Sequence, residues 1–128
     1  MVIDTSALAV VLFDEPERAE VIGKIVAAPR RLISSATLLE SSLVIESRRG
    51  EAAGRELDLF LHRAKVQTVA VDNEQVELAR AAWRRYGKGR HPAGLSFGDL
   101  FAYALARASG EDLPFKGNDF TKTDIIAA

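Results

Sequence analysis

Four acidic residues lie beside apolar segments, where charged side chains are unusual. Asp4 closes the short run "VID", Glu40 lies in "TLLES", Asp99 in "SFGDLFAYALA" and Asp119 in "FKGNDF". Carboxylates that converge in a partly desolvated cleft repel one another, and their pKa values rise unless a cation neutralises them. Hard oxygen ligands select Mg²⁺ or Mn²⁺. If these acids share one place in the fold, the sequence predicts a divalent metal site.

The reaction expected of such a site is hydrolysis of a phosphodiester bond by a metal-activated water. Other hydrolytic routes find less support. The chain has no Cys, which removes thiol nucleophiles. Nothing in the sequence pairs His62 with His91, so acid–base catalysis by two histidines is not expected.

A simpler interpretation exists for each acid taken singly. "TLLE" (Thr37 to Glu40) and "SFGD" (Ser96 to Asp99) both match capping boxes at helix starts, and acids in a first turn also suit the helix dipole. Capping does not explain why four acids all fall near strand ends or the helix starts that follow them. Together they favour a shared site.

Short apolar strands alternate with helices along the chain. The predicted strands are residues 2–4, 31–35 and 66–71, followed by two short ones in "LPF" and "TDIIA". The predicted helices are residues 5–13, 16–28, 36–50, 51–64, one that begins at Asp72 or Asn73, and 96–110. The strands are apolar without a period of two, which is typical of a parallel sheet covered by helices on both faces. The prediction is a single α/β domain over residues 1–128, a three-layer α/β/α fold with a central, mainly parallel sheet of about five short strands.

In folds of this class, ligands bind beyond the carboxyl ends of the strands, where Asp4 is expected. Helical spacing puts Glu40 on one face with Leu39 and Leu43, and we therefore expect it to point inward. The same argument places Asp99 beside Tyr103 on a nearly apolar helix. The spacing of Trp83 and Tyr86 predicts core packing for both aromatic rings.

The overall charge excludes a protein with a global basic field, since 17 Lys and Arg stand against 18 Asp and Glu. One local basic segment does occur, with no acid between Glu77 and Asp99. It contains Arg84, Arg85, Lys88 and Arg90. These side chains could grip RNA phosphates, or they could form a solvated helix end; both interpretations stay open.

Cysteine usage and hydropathy bear on location. The absence of Cys suits the cytoplasm. The longest apolar run, residues 7–13, is far shorter than the roughly 20 residues that cross a bilayer, so no membrane association is expected.

The segments "VIDTSAL", "TLLES", "SFGDLFAYALA" and "FKGNDFTKTDI" resemble, in order and spacing, those of the PIN-domain ribonucleases, most nearly the VapC toxins of bacterial toxin–antitoxin pairs. The resemblance covers essentially the whole chain. It implies a PIN fold and a Mg²⁺-dependent endoribonuclease, with Mn²⁺ as a possible substitute. It also implies a cognate VapB antitoxin as partner and a homodimer.

The resemblance further implies roles for particular residues. Asp4, Glu40, Asp99 and Asp119 would form the acidic site, with Asp4 and Asp99 holding the metal. The hydroxyl of Thr5 or Ser6 would assist beside Asp4, and Asp124 could share or replace the role of Asp119. The alternative is a non-catalytic PIN-like interaction module that binds RNA or a partner protein.

Overall fold

The structure, a computed structural model, describes residues 1–113. Asp119, Asp124 and the predicted strand "TDIIA" lie outside these residues, as does the end of the predicted domain. The described elements are α1 (Thr5–Leu12), α2 (Arg18–Ala27), β1 (Leu32–Ser34), α3 (Ser35–Arg49), α4 (Glu51–Arg63), β2 (Gln67–Val69), α5 (Asn73–Tyr86) and α6 (Phe97–Ser109).

The centre of the fold is a row of short parallel segments. β1 pairs with β2 in parallel, with Leu32 opposite Gln67 and Ser34 opposite Val69. On the other side of β1, Val2 forms a parallel bridge with Leu32, and its N–H donates to the carbonyl of Asp112 at 2.7 Å. Within residues 1–113, β1 therefore lies in the interior of the row and is fully buried, whereas β2 lies at an edge and is largely exposed.

Residue alternation divides the apolar core between the two faces of this row. Val2 and Leu32 belong to one cluster, which includes Tyr86 of α5 and Leu105 of α6. Their chain neighbours, Ile3 and Ile33, belong to the other cluster. The helices α1, α2, α3 and α4 contribute Leu8, Ile25, Ile45 and Leu57 to it. Helices thus cover both faces, and the predicted three-layer α/β/α architecture is confirmed.

Polar side chains begin most of these helices where the sequence indicates. Asp4, Asp72 and Ser96 cap α1, α5 and α6, and each accepts a hydrogen bond from a backbone N–H of the first turn. Three helix starts differ from the prediction. α6 begins at Phe97, one residue later than predicted, because Ser96 is its N-cap. α2 begins at Arg18 because Pro16 lies in the preceding turn. α3 begins at Ser35, since Ser34 at the end of β1 already caps it.

The start of α3 changes the interpretation of Glu40. The predicted capping box from Thr37 to Glu40 is wrong, because the helix is already in its second turn at residue 40. Glu40 is therefore free of a first-turn capping role, and its position requires another explanation.

One predicted inward face is also wrong, and a second is correct only for Tyr86, which is buried. Leu39 and Leu43 are 62% and 60% exposed, while Thr37, Ser41 and Ile45 form the buried face of α3. The small hydroxyl residues let α3 pack closely against β1 and α1, which turns the leucines outward. In α5, Trp83 is 44% exposed. The buried side of that helix carries Gln75, Ala82 and Tyr86.

None of the helices within residues 1–113 combines the length and apolar character needed to span a membrane.

Arg31, immediately before β1, joins the ends of two helices. Its guanidinium donates to the carbonyls of Val26 and Ala64 at 2.7 Å each, and to that of Ala28 at 3.2 Å. These carbonyls lie at the carboxyl ends of α2 and α4, where backbone acceptors lack helical partners and positive charge is favoured. The side chain fixes both helix ends beside the central strand.

We expect Arg31→Met to lower the free energy of unfolding by about 2–3 kcal/mol, because it removes charged donors from three carbonyls. Arg30→Met is the matched control: Arg30 makes an exposed ion pair with Glu111 at 3.5 Å, and its loss should cost less than about 1 kcal/mol. Urea unfolding of both variants measures the difference. Equal losses would contradict the role given to Arg31.

Candidate active site

Asp4 lies at the point where the first segment of the sheet passes directly into α1. Its Oδ1 accepts the N–H of Ala7 at 3.0 Å, and its Oδ2 accepts the hydroxyl of Ser6 at 2.9 Å. Burial raises the pKa of Asp4 to about 6, and the nearby charge of Asp99 adds to the rise, although the hydrogen bonds from Ala7 and Ser6 oppose it. Because burial outweighs the hydrogen bonds, a nearby cation would stabilise the ionised carboxylate of Asp4.

Glu40 is half-buried on α3 and contacts two other helices. The hydroxyl of Thr5, on α1, donates to its Oε1 at 2.5 Å. On the opposite side lies Gly98 of α6, where an added Cβ would overlap the carboxylate of Glu40. Only glycine leaves this space for the carboxylate. Glu40 thus lies between α1 and α6 and contacts both helices.

Asp99 lies in the first turn of α6 and forms the predicted capping box with Ser96. The Ser96 N–H donates to Oδ2 of Asp99 at 2.8 Å, and the Asp99 N–H donates to the Ser96 hydroxyl at 3.3 Å. The capping role is therefore confirmed. The capping hydrogen bond occupies one lone pair of the Asp99 carboxylate, and its other lone pairs can accept further bonds. Its charge also acts on Asp4.

These contacts bring three of the predicted acids to one junction. Glu40 contacts Thr5, the chain neighbour of Asp4, and Gly98, the chain neighbour of Asp99. Within residues 1–113, however, no three Asp, Glu or His side chains approach closely enough to hold one metal ion together. The fourth predicted acid, Asp119, and its alternative, Asp124, lie outside the described residues.

The two hydroxyls predicted to assist Asp4 bind to two different acids. Ser6 donates to Asp4, as expected, whereas Thr5 donates to Glu40. The sequence analysis also missed two residues at this junction. Gly98 could have been noticed as a glycine in the first turn of an otherwise apolar helix. Ser41 pairs with Thr5, a contact between helices that no local pattern indicates.

The donor set fits Mg²⁺ better than softer metals. All three described acids offer carboxylate oxygens, and Mg²⁺ is usually held by one or two carboxylates with water completing its shell. The charge of Asp99 acts on Asp4. Asp4 and Asp99 are the two acids that would hold the ion.

The basic segment lies on the surface before α6. Arg84, Arg85, Lys88 and Arg90 are exposed. The guanidinium of Arg90 stacks over the ring of Trp83 at 4.1 Å, and that of Arg85 lies 5.1 Å from the ring centre of Tyr86. A parallel bridge between Gly87 and Leu95 closes the loop. RNA binding by these cations stays a prediction.

Comparison with known proteins places the chain in a family. The family model "PIN domain" matches residues 1–126. The chain is 58% identical over 127 residues to Ribonuclease VapC of Mycolicibacterium smegmatis, covering 99% of this chain and 98% of that protein. The chain belongs to the PIN-domain family and to its VapC branch. Ribonuclease VapC30 of Mycobacterium tuberculosis is also 58% identical, over 125 residues, covering 98% of this chain and 95% of the relative.

Solved structures of other VapC proteins have the same fold. The structure of VapC20 from Mycobacterium tuberculosis, described as a toxin that cleaves the sarcin-ricin loop, aligns with a TM-score of 0.78 at 21% identity, covering 99% of this chain and 97% of that one. VapBC2 from Rickettsia felis, bound to a DNA fragment from its promoter, aligns with a TM-score of 0.76 at 17% identity, covering 99% and 96%.

The pKa of Asp4 predicts how stability depends on pH. The folded pKa of about 6 exceeds the ordinary value of 3.8, so the ionised carboxylate destabilises the fold above pH 6. This cost disappears as the pH falls toward 4, because the folded state takes up the proton first. Without metal, Asp4→Asn should therefore be more stable than wild type at pH 8, by up to about 3 kcal/mol.

Urea unfolding in EDTA at pH 8 and at pH 4 measures this difference. The gain in free energy of unfolding from Asp4→Asn should be smaller at pH 4 than at pH 8. Asp58 is an exposed residue of α4, so Asp58→Asn should leave the free energy of unfolding unchanged at both pH values. A constant difference across this range would contradict the raised pKa of Asp4.

Proposed function

We propose that this VapC protein is a Mg²⁺-dependent endoribonuclease, the toxin of a type II toxin–antitoxin pair. The observation that carries the proposal is the junction at Glu40, whose carboxylate contacts the chain neighbours of both Asp4 and Asp99. Three elements distant in sequence thereby bring acidic side chains together beside a buried carboxylate. Identity of 58% to Ribonuclease VapC of Mycolicibacterium smegmatis supports the ribonuclease assignment.

In the proposed mechanism, Asp4 and Asp99 would hold the ion, and Ser6 fixes the orientation of Asp4 through its hydrogen bond. When bound, Mg²⁺ lowers the pKa of a water and neutralises charge on the scissile phosphate. Glu40 orients the attacking water through the oxygen that Thr5 leaves free. We propose Asp119 as a fourth acid, with Asp124 as the alternative. The 2′-hydroxyl is not needed as nucleophile, so 5′-phosphate and 3′-hydroxyl ends are expected.

Replacement of the acids tests this assignment. Asp4→Asn and Glu40→Gln should each lower cleavage of mixed RNA by about a hundredfold or more, because each removes a charge that the reaction uses. Both changes preserve side-chain shape, and Asn at position 4 can still accept the N–H of Ala7. Asp58→Asn and Glu46→Gln are matched controls on exposed helix surfaces.

The measurement is the initial rate of cleavage in millimolar Mg²⁺ and in EDTA, with the fold verified by circular dichroism. EDTA should abolish cleavage by the wild type. Binding of RNA without metal-dependent cleavage would instead favour the non-catalytic interaction module. Cleavage by Asp4→Asn at the wild-type rate would remove Asp4 from the site.

We also propose a VapB-type antitoxin as partner. Two structures that share this fold are toxin–antitoxin assemblies, VapBC2 from Rickettsia felis and a complex from Klebsiella pneumoniae. Because the proposed substrate is RNA, we place the activity in the cytoplasm. Co-expression with the product of a neighbouring small reading frame, followed by a cleavage assay of the purified complex, measures inhibition directly.

A homodimer is the proposed assembly of the toxin. The groove between α3 and α6 is lined by Leu39, Leu43, Phe97 and Phe101, and Phe97 is 78% exposed. Apolar side chains grouped in this way favour association over contact with water. Light scattering of the wild type and of Phe97→Ser measures the molar mass, which should fall in the variant.

The basic segment gives a separate prediction about RNA binding. If the segment grips phosphates, the double change Lys88→Gln and Arg84→Gln should weaken RNA binding and reduce the slope of log affinity against log salt by about 1–2. The affinity for Mg²⁺ should not change. Arg55→Gln with Arg63→Gln, on α4, provides a control of equal charge. An unchanged slope would indicate a solvated helix end.

A further inference from the structure

Ser41 is a fully buried hydroxyl next to Glu40 in the chain, yet it bonds to a different helix. Its Oγ lies 3.0 Å from the hydroxyl oxygen of Thr5 on α1. Two other serines on the helices bond within their own helix. Ser42 donates to the carbonyl of Leu38 at 2.9 Å, and Ser109 donates to that of Leu105 at 2.7 Å. Back-bonding of this kind is the usual choice for a helical serine. Ser41 instead spans two helices.

The direction of the hydrogen bonds follows from counting protons. A threonine hydroxyl has one proton to donate, and an ionised carboxylate only accepts. The proton of Thr5 is used on Oε1 of Glu40. Ser41 must therefore donate to Thr5, which gives a chain that runs from Ser41 to Thr5 to Glu40. Because each donor also accepts, the bonds strengthen one another.

The two oxygens of Glu40 consequently have different surroundings. Oε1 accepts from Thr5, and Oε2 is the oxygen nearest to the position of a Cβ on Gly98. The carboxylate is thus held on one side by a hydrogen bond and on the other by the backbone of α6. In the proposed function, Oε2 is the oxygen that would contact the attacking water.

We propose that Ser41 is a positioning residue that fixes the orientation of the Glu40 carboxylate through Thr5. This inference rests on the proposed function, in which Glu40 orients the attacking water. A misplaced carboxylate loses much of its effect on a reaction even when its charge is unchanged. Residues that hydrogen-bond to the groups of a metal site, without contacting the metal, typically affect activity by orienting those groups.

The test compares Ser41→Ala with Ser42→Ala, since the neighbouring serine bonds only within its own helix turn. In the metal-free protein, NMR scalar couplings of the Glu40 side chain should report one rotamer in the wild type and in Ser42→Ala. The couplings should become averaged in Ser41→Ala. In Mg²⁺, kcat for RNA cleavage by Ser41→Ala should fall about threefold to tenfold, with KM unchanged, which corresponds to the loss of one hydrogen bond.

A double-mutant cycle tests whether Ser41 acts through Thr5. In the background of Thr5→Val, Ser41→Ala should lower kcat by less than twofold, because the chain is already broken. If Ser41→Ala does not fold, Ser41→Cys replaces the hydroxyl by a weaker donor of similar size and should produce a smaller loss in the same direction.

Three outcomes would overturn the proposal: a single Glu40 rotamer in folded Ser41→Ala, a change in KM with kcat unchanged, or a full additional loss in the background of Thr5→Val. The NMR couplings do not depend on cleavage. If the wild type cleaves no RNA in Mg²⁺, the proposed function fails, while the couplings still decide whether Ser41 holds the carboxylate.

Discussion

The burial of Asp4 is the constraint on which the rest of the structure depends. A single residue ends the first segment of the sheet, caps α1 and carries a charge into a region with little water. The hydrogen bonds from Ser6 and Ala7 reduce the cost of that charge, and the direct passage from sheet to helix fixes where the carboxylate lies. Because no loop intervenes, the carboxylate cannot move away to reach solvent. The fold therefore keeps an unfavourable group in place.

A second acid increases this cost instead of relieving it. The charge of Asp99 raises the pKa of Asp4 further, and Glu40 lies beside both of their chain neighbours. An arrangement that opposes stability at neutral pH is typical of a functional site. Stability is supplied elsewhere: in the two apolar clusters on either side of the sheet, and at Arg31, which fixes the ends of α2 and α4.

Local patterns predicted the order of elements and three of the helix starts, because capping depends on residues near one another in the chain. They failed where a distant element decides. The inward face of α3 carries Thr37 and Ser41 instead of Leu39 and Leu43, since close packing against α1 and β1 favours small side chains. The sequence predicted Glu40 as a site residue, but its contact with Gly98 depends on how α6 packs against α3. Asp119 and Asp124 lie outside the described residues, so their roles stay predictions.

The stacking of Arg90 on Trp83 has a spectroscopic consequence. Trp83 is the only tryptophan of the chain, and a guanidinium lies 4.1 Å from its ring centre. Indole emission responds to a nearby charge and to exposure to water, so the fluorescence of the whole protein reports on one contact at the tip of the basic loop. Any ligand that draws Arg90 away from the ring would alter that signal. The protein thus carries an intrinsic optical reporter of this loop, with no label required.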